Sequence, residues 1–99
     1  MKDGFVKTVC ASPSLKVADC EYNAQQIIEM TDKAYAEGAV ICAFPELSLT
    51  GYTCGDLFFQ TALLESALAA LKRIIKHTAD YNMVNVVGLP YCHEGKIYN

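Results

Sequence analysis

No apolar run in this chain approaches the roughly 18 residues that a membrane helix needs, although hydrophobic residues fill 53% of its 99 positions. A helical membrane anchor within these residues is therefore excluded. The start, Met1-Lys2-Asp3-Gly4-Phe5-Val6-Lys7, has charges where a signal peptide has its apolar core. Positive charge is not in excess. Eight Lys and Arg stand against eleven Asp and Glu, a net charge of −3, so nucleic acid is not an expected partner. Charged residues of both signs make up only 19% of the chain, which is richer in apolar side chains than an average soluble domain. A phosphate loop of the form G-x-x-x-x-G-K-[ST] is missing, as are internal repeats, linkers and low-complexity stretches. Cysteine is present in an odd number, five, mostly inside apolar runs. That pattern suits reduced thiols better than a disulfide framework. The expected protein is soluble and cytoplasmic, with no membrane partner, and its length allows one domain at most.

The patterning that is present alternates strands with helices. Residues 5–11 read as a first strand, ended by Ser12-Pro13-Ser14. Asp19 is the expected N-cap of a helix running to about Glu37. Its Ala24, Ile27, Ile28, Thr31, Ala34 and Tyr35 recur at three- and four-residue spacing, and Gly38 closes it. Residues 39–44 form a short, wholly apolar run, as in a strand covered on both faces. A loop from Pro45 to Gly55 follows. A second helix, from about Gln60 to Ala79, places Leu64, Ala67, Leu68, Leu71, Ile74 and Ile75 on one face. Residues 83–89 read as a third strand stopped by Pro90, residues 93–95 as a hairpin turn, and residues 96–99 as the start of a fourth strand. This β-α-β-α-β-β order predicts an α/β fold with a largely parallel sheet. Two helices are too few to cover both faces of such a sheet, so the sequence reads as the N-terminal part of a larger domain.

One carboxylate stands out. Glu46 follows an all-apolar strand directly after Pro45, and burying it as an unpaired packing residue costs far more than a methyl group gains. Reactive groups in open α/β sheets gather at the carboxyl ends of strands. On spacing alone, an ordinary surface glutamate after a strand is an equal reading. Other polar groups have bland explanations. Lys72, Arg73, Lys76 and His77 complement the dipole at the end of the second helix. Asp56 suits the N-cap of a short helical turn, and Gly51 and Gly55 supply positive φ. Cys42, Cys54, Cys92 and His93 lack the close ligand spacing of structural zinc sites, so no metal is expected.

The string Phe44-Pro45-Glu46-Leu47-Ser48-Leu49-Thr50-Gly51-Tyr52 resembles the first catalytic motif of the nitrilase, or carbon–nitrogen hydrolase, superfamily. With Thr53-Cys54-Gly55-Asp56-Leu57-Phe58-Phe59-Gln60 it is similar more narrowly to the N-terminal glutaminase domains of glutamine-dependent NAD synthetases. Asp19 to Asn23, Gly38-Ala39 and Gly88-Leu89-Pro90 extend the resemblance over essentially all 99 residues.

The resemblance implies a nitrilase-like α-β-β-α sandwich and a Glu–Lys–Cys triad, with Glu46 as general base. It implies a place for Tyr52 near the mouth of the site, where it would bind substrate; a loop tyrosine packed on the strand edge is the competing reading. The family's lysine and cysteine motifs lie farther along than Asn99, so these 99 residues alone are expected to be inactive. Cys54, in the loop after the glutamate, is not the expected nucleophile. Glutamine is the implied substrate and deamido-NAD the second substrate of the parent enzyme. ATP and Mg are expected in a separate synthetase domain, no cofactor on these residues, and a homo-oligomer as the assembly. Two alternatives stay open: another amidase or carbamoylase of the same superfamily, or a complete small α/β interaction module.

Overall fold

Asp19 starts the first helix as its sequence requires. Its side chain accepts a hydrogen bond from the Tyr22 amide at 3.0 Å, satisfying one of the donors that a helix N-terminus leaves free. In the computed structural model, which describes residues 4–99, helix α1 spans Cys20–Ala36. The charged start at residues 1–3 lies outside the described part. The C-terminus of α1 gives way to Gly38 at φ +86°, a conformation that suits a residue without Cβ. The other elements are strand β1 (Thr8–Cys10), strand β2 (Ile41–Ala43), a 3₁₀ turn (Gly55–Phe59), helix α2 (Thr61–His77) and strands β3 (Val84–Val86), β4 (Tyr91–His93) and β5 (Lys96–Tyr98). Among the described residues no helix is long and apolar enough to cross a membrane.

Strands β1, β2 and β3 form a parallel sheet in that order. Thr8, Ile41 and Val84 stand side by side, as do Cys10, Ala43 and Val86. Between those rows, Val9, Cys42 and Asn85 face the opposite way. Crossovers of one hand that advance in one direction put successive helices on the same face. Helices α1 and α2 accordingly pack on each other, and Asn85 donates from the sheet to the Thr31 hydroxyl of α1 at 3.1 Å. Ile27, Leu49 and Cys42 are fully buried in the core so formed.

The other face of the sheet is open. Ile41, Val84 and Val86 remain 39%, 60% and 51% exposed. The apolar 39–44 run therefore lies in a strand covered on one face among these residues, and the expected shortage of helical cover is realised.

Helix α2 differs from expectation in its buried face. Leu63, Ala67, Ala70 and Ile74 are buried, whereas Leu64, Leu68 and Leu71 are only partly so and Ile75 is exposed. The buried face thus mixes the small Ala67 and Ala70 with the larger Leu63 and Ile74. Tyr35, expected in the α1 stripe, lies at the surface and stacks on Tyr81 with ring centroids 4.1 Å apart.

The end of the chain also differs in detail. His93 pairs with Lys96 across a two-residue turn, Glu94-Gly95, with φ of +50° and +78°. Left-handed angles at both positions define a type I′ hairpin, whose twist matches that of its strands. Tyr91–His93 is thus a strand in its own right, in a separate two-stranded sheet with β5.

Candidate active site

The chain leaves β2 through Phe44, whose amide donates to the Val86 carbonyl at 2.9 Å. Pro45 follows, and residues 46–50 form a tight turn. Leu47 adopts φ +55°, which lets its carbonyl accept from the amides of Thr50 at 3.2 Å and Gly51 at 2.8 Å. Three neighbours lock this turn. From the segment just after β3, the Gly88 carbonyl accepts from the Leu49 amide at 3.1 Å. Gly88 itself lies so close that an added Cβ would run into the Leu47 amide nitrogen and stand 3.1 and 3.2 Å from the carbonyl carbon and Cα of Glu46. From α1, the fully buried Asn23 donates to the carbonyls of Leu49 at 3.0 Å and Lys16 at 2.8 Å and accepts from the Lys16 amide at 2.8 Å. The segment before α1 adds a bond from the Ala18 amide to the Thr50 carbonyl at 2.7 Å. Ser48, Leu49 and Thr50 are wholly buried as a result, while Glu46 stays exposed at the top of the turn.

The Glu46 backbone is fixed and its carboxylate meets solvent. Oε1 accepts a hydrogen bond from the Asn99 side-chain amide. Asn99 also borders an apolar recess of about 270 Å³, walled by Phe58 and Phe59 of the 3₁₀ turn, by Ile97 and Tyr98 of β5, and by Leu47 and Pro90. A larger recess of about 590 Å³ lies between the start of α1 and α2, against Asp19, Cys20, Ser66, Ala70 and Arg73. Neither recess is lined by Glu46 or Tyr52, but the smaller one borders Leu47 and Asn99, the chain neighbour and the hydrogen-bond partner of Glu46.

Tyr52 is not drawn to Glu46. It stands 67% exposed, and among the described residues its hydroxyl makes no hydrogen bond. Cys54 is buried, and its thiol donates to the carbonyls of Thr50 at 3.2 Å and Gly51 at 3.6 Å. Such a thiol braces the loop and is not presented as a nucleophile. Nearby, burial pushes the Cys20 thiol up to about 11, helped by the charges of Cys54 and Asp19, which keeps it protonated at neutral pH. Burial likewise raises Cys42, with Cys10 adding to the effect. All five cysteines are unpaired. Among the described residues no three His, Cys, Asp or Glu side chains gather as metal ligands. Asp56 lies within the first turn of the 3₁₀ element, with Cys54 in the cap position and no side-chain cap bond.

Sequence reasoning missed Asn99, Gly88 and Asn23 as parts of this arrangement. Asn23 carried a signal: it continues the helical spacing of Ile27 and Ile28, and a polar residue on a buried stripe implies buried partners. Gly88 and Asn99 carried none, because their roles arise from contacts with a distant turn.

A carboxylate carried on a fixed turn at the carboxyl end of the central strand of a parallel sheet defines an α/β protein with a candidate acid–base site. Residues 8–99 match the family model described as Carbon-nitrogen hydrolase, and the chain belongs to that family. It is 42% identical over 89 residues to a glutamine-dependent NAD(+) synthetase of Aquifex aeolicus, covering 90% of this chain and 15% of that protein. It is 34% identical over 96 residues to the glutamine-dependent NAD(+) synthetase of Mycobacterium bovis, covering 97% and 14%. The fold is similar to the crystal structure of a glutamine-dependent NAD(+) synthetase from Cytophaga hutchinsonii, with a TM-score of 0.84, 28% identity, and coverage of 92% of this chain and 16% of that one. The chain thus spans about one seventh of the length of these relatives.

Proposed function

We propose that residues 1–99 are the N-terminal portion of the glutaminase domain of a glutamine-dependent NAD(+) synthetase, with the lysine and cysteine motifs of the domain farther along a longer chain. The observation that carries this reading is Glu46 on its fixed turn at the end of β2, beside a recess, in a chain whose relatives are glutamine-dependent NAD(+) synthetases. In this reading Glu46 is the general base. It takes the proton of the nucleophilic cysteine, and the thiolate attacks the side-chain amide carbon of glutamine. Ammonia leaves, a thioester remains, and water then releases glutamate. A positioned base contributes roughly 10²–10⁴-fold, and the lysine stabilises the oxyanion of the tetrahedral intermediate. Tyr52, exposed on the following loop, supplies a phenol to substrate at the mouth of the site. The ammonia amidates deamido-NAD at a separate domain that binds ATP and Mg. A homo-oligomeric, cytoplasmic enzyme completes the proposal.

The test separates the two half-reactions. In the full-length enzyme, Glu46→Gln should abolish glutamine-driven NAD synthesis and leave synthesis from added ammonia at the wild-type rate. Loss of both activities in a folded variant would count against the assigned role. Amide hydrolysis by the intact wild-type protein without NAD synthesis would instead favour another amidase of the family.

A further inference from the structure

We infer that Asn99 is a positioning residue for Glu46, holding one carboxylate oxygen so that the other is aimed at the nucleophile's proton. The inference deepens the proposed glutaminase reading and rests on Glu46 acting as the base. A carboxylate only accepts hydrogen bonds, so the Asn99 group facing Glu46 Oε1 is its NH₂. Among the described residues Oε2 has no partner, which leaves it available to accept a proton.

The physical need for such a residue follows from how Glu46 is held. The turn fixes its backbone through Gly88, Asn23 and Leu47. Its side chain, however, projects into solvent with rotatable bonds that nothing in the turn restrains. A general base contributes only when it lies within hydrogen-bond reach of the proton it removes, and misplacement by about 1 Å can cost on the order of 10²-fold. Asn99 supplies the second point of attachment, and its short side chain does so at low entropic cost.

The hairpin determines that Asn99 reaches this position. The turn at Glu94-Gly95 sets the β4–β5 register, pairing Tyr91 with Tyr98 and Cys92 with Ile97. That register brings Ile97, Tyr98 and Asn99 to the recess together. A slip of one residue would reverse which side chains face it.

The experiment compares Asn99→Ala, Asn99→Asp and Asn99→Ser with Glu46→Gln in the full-length enzyme. It measures kcat and KM for glutamine and, as a check on folding, the ammonia-driven rate. Hydrogen bonds to charged groups are among the stronger ones, and solvent exposure puts this one at the low end. Asn99→Ala should therefore lower kcat roughly tenfold with little change in KM and an unchanged ammonia-driven rate. Asn99→Asp is nearly isosteric but replaces the donor with a like charge, so its kcat should fall below that of the alanine variant. Asn99→Ser keeps a donor and should recover part of the loss. Wild-type kcat in the Ala and Asp variants, alongside an inactive Glu46→Gln, would overturn the role of Asn99 and leave Glu46 as the base. A change confined to KM would overturn it in favour of substrate binding, and equal losses in all three variants would reduce Asn99 to packing. An active Glu46→Gln would remove the reading on which the inference stands.

Discussion

At Gly88 the available room is set by backbone rather than by side chains, so no rotamer change can relieve a substitution there. A methyl group would meet the Leu47 amide and the Glu46 backbone. Gly88→Ala should cost about 2 kcal/mol of stability, read from urea unfolding. Because the displaced backbone is that of Glu46, the same change should also lower glutamine-driven turnover while sparing the ammonia-driven reaction. Asn23 donates one hydrogen bond to the same turn, at Leu49, and ties it through two more to the backbone of Lys16. The neighbouring cysteines are inert by comparison: Cys54 spends its proton on loop carbonyls, and burial keeps Cys20 a thiol. Glu46 stood out as a candidate because a charge ends an apolar run, although spacing alone left an ordinary surface glutamate equally open and only the surrounding motif favoured a site. Asn99 did not stand out, since an asparagine after a short strand contradicts nothing and gains meaning only from what the hairpin brings near.

Elements whose signals were local could be read closely. Helix α1 has an oxygen-bearing cap, a regular stripe and a closing glycine, and it formed within a residue of its expected limits. The face of α2 could not be read in the same way. Ala67 and Ile74 of the expected face are buried, but Leu63 and Ala70 are buried in place of Leu64, Leu68, Leu71 and Ile75. The strands are shorter than their apolar runs at both ends, although single hydrogen bonds such as Val40 to Lys7 and Phe44 to Val86 extend the pairing by a residue. A side-chain cluster joins the far ends of the two helices: Asp32 accepts from His77 Nε2 at 2.9 Å and from the Tyr81 hydroxyl, while Tyr81 stacks on Tyr35. Burial alone would raise the Asp32 carboxyl, but the bonds from Tyr81 and His77 outweigh it and hold the group below its usual range. A depressed carboxylate contributes stability above its unfolded value of about 3.9 and loses it as pH falls through the folded value. Asp32→Asn should therefore be less stable than wild type at pH 7, with the two unfolding midpoints converging as the pH is lowered through about 4 and below. Solvent screening keeps the gap modest.

For the whole molecule, the largest unsatisfied demand is the open face of the sheet. Val84, Val86 and Ile41 form part of an apolar surface there, of the kind that marks an interaction site or an aggregation liability. The 99-residue chain by itself should self-associate, and Val84→Lys with Val86→Lys should reduce that association in sedimentation experiments. In the longer protein proposed above, where a second sheet would cover this face, the same pair should lower the melting temperature. Opposite outcomes from one pair of substitutions would distinguish a covered face from a permanently solvated one. The contact between Gly88 and the Glu46 turn bears, finally, on the order of events during synthesis. The turn leaves the ribosome early, but its lock arrives only after α2 and β3 have followed it. Until then only Asn23 and Ala18, which precede the turn in the chain, hold it, and the side that meets Gly88 stays open. The candidate base is thus assembled late relative to its place in the chain, and slow emergence of β3 would prolong the time for which the incomplete turn is exposed to proteases.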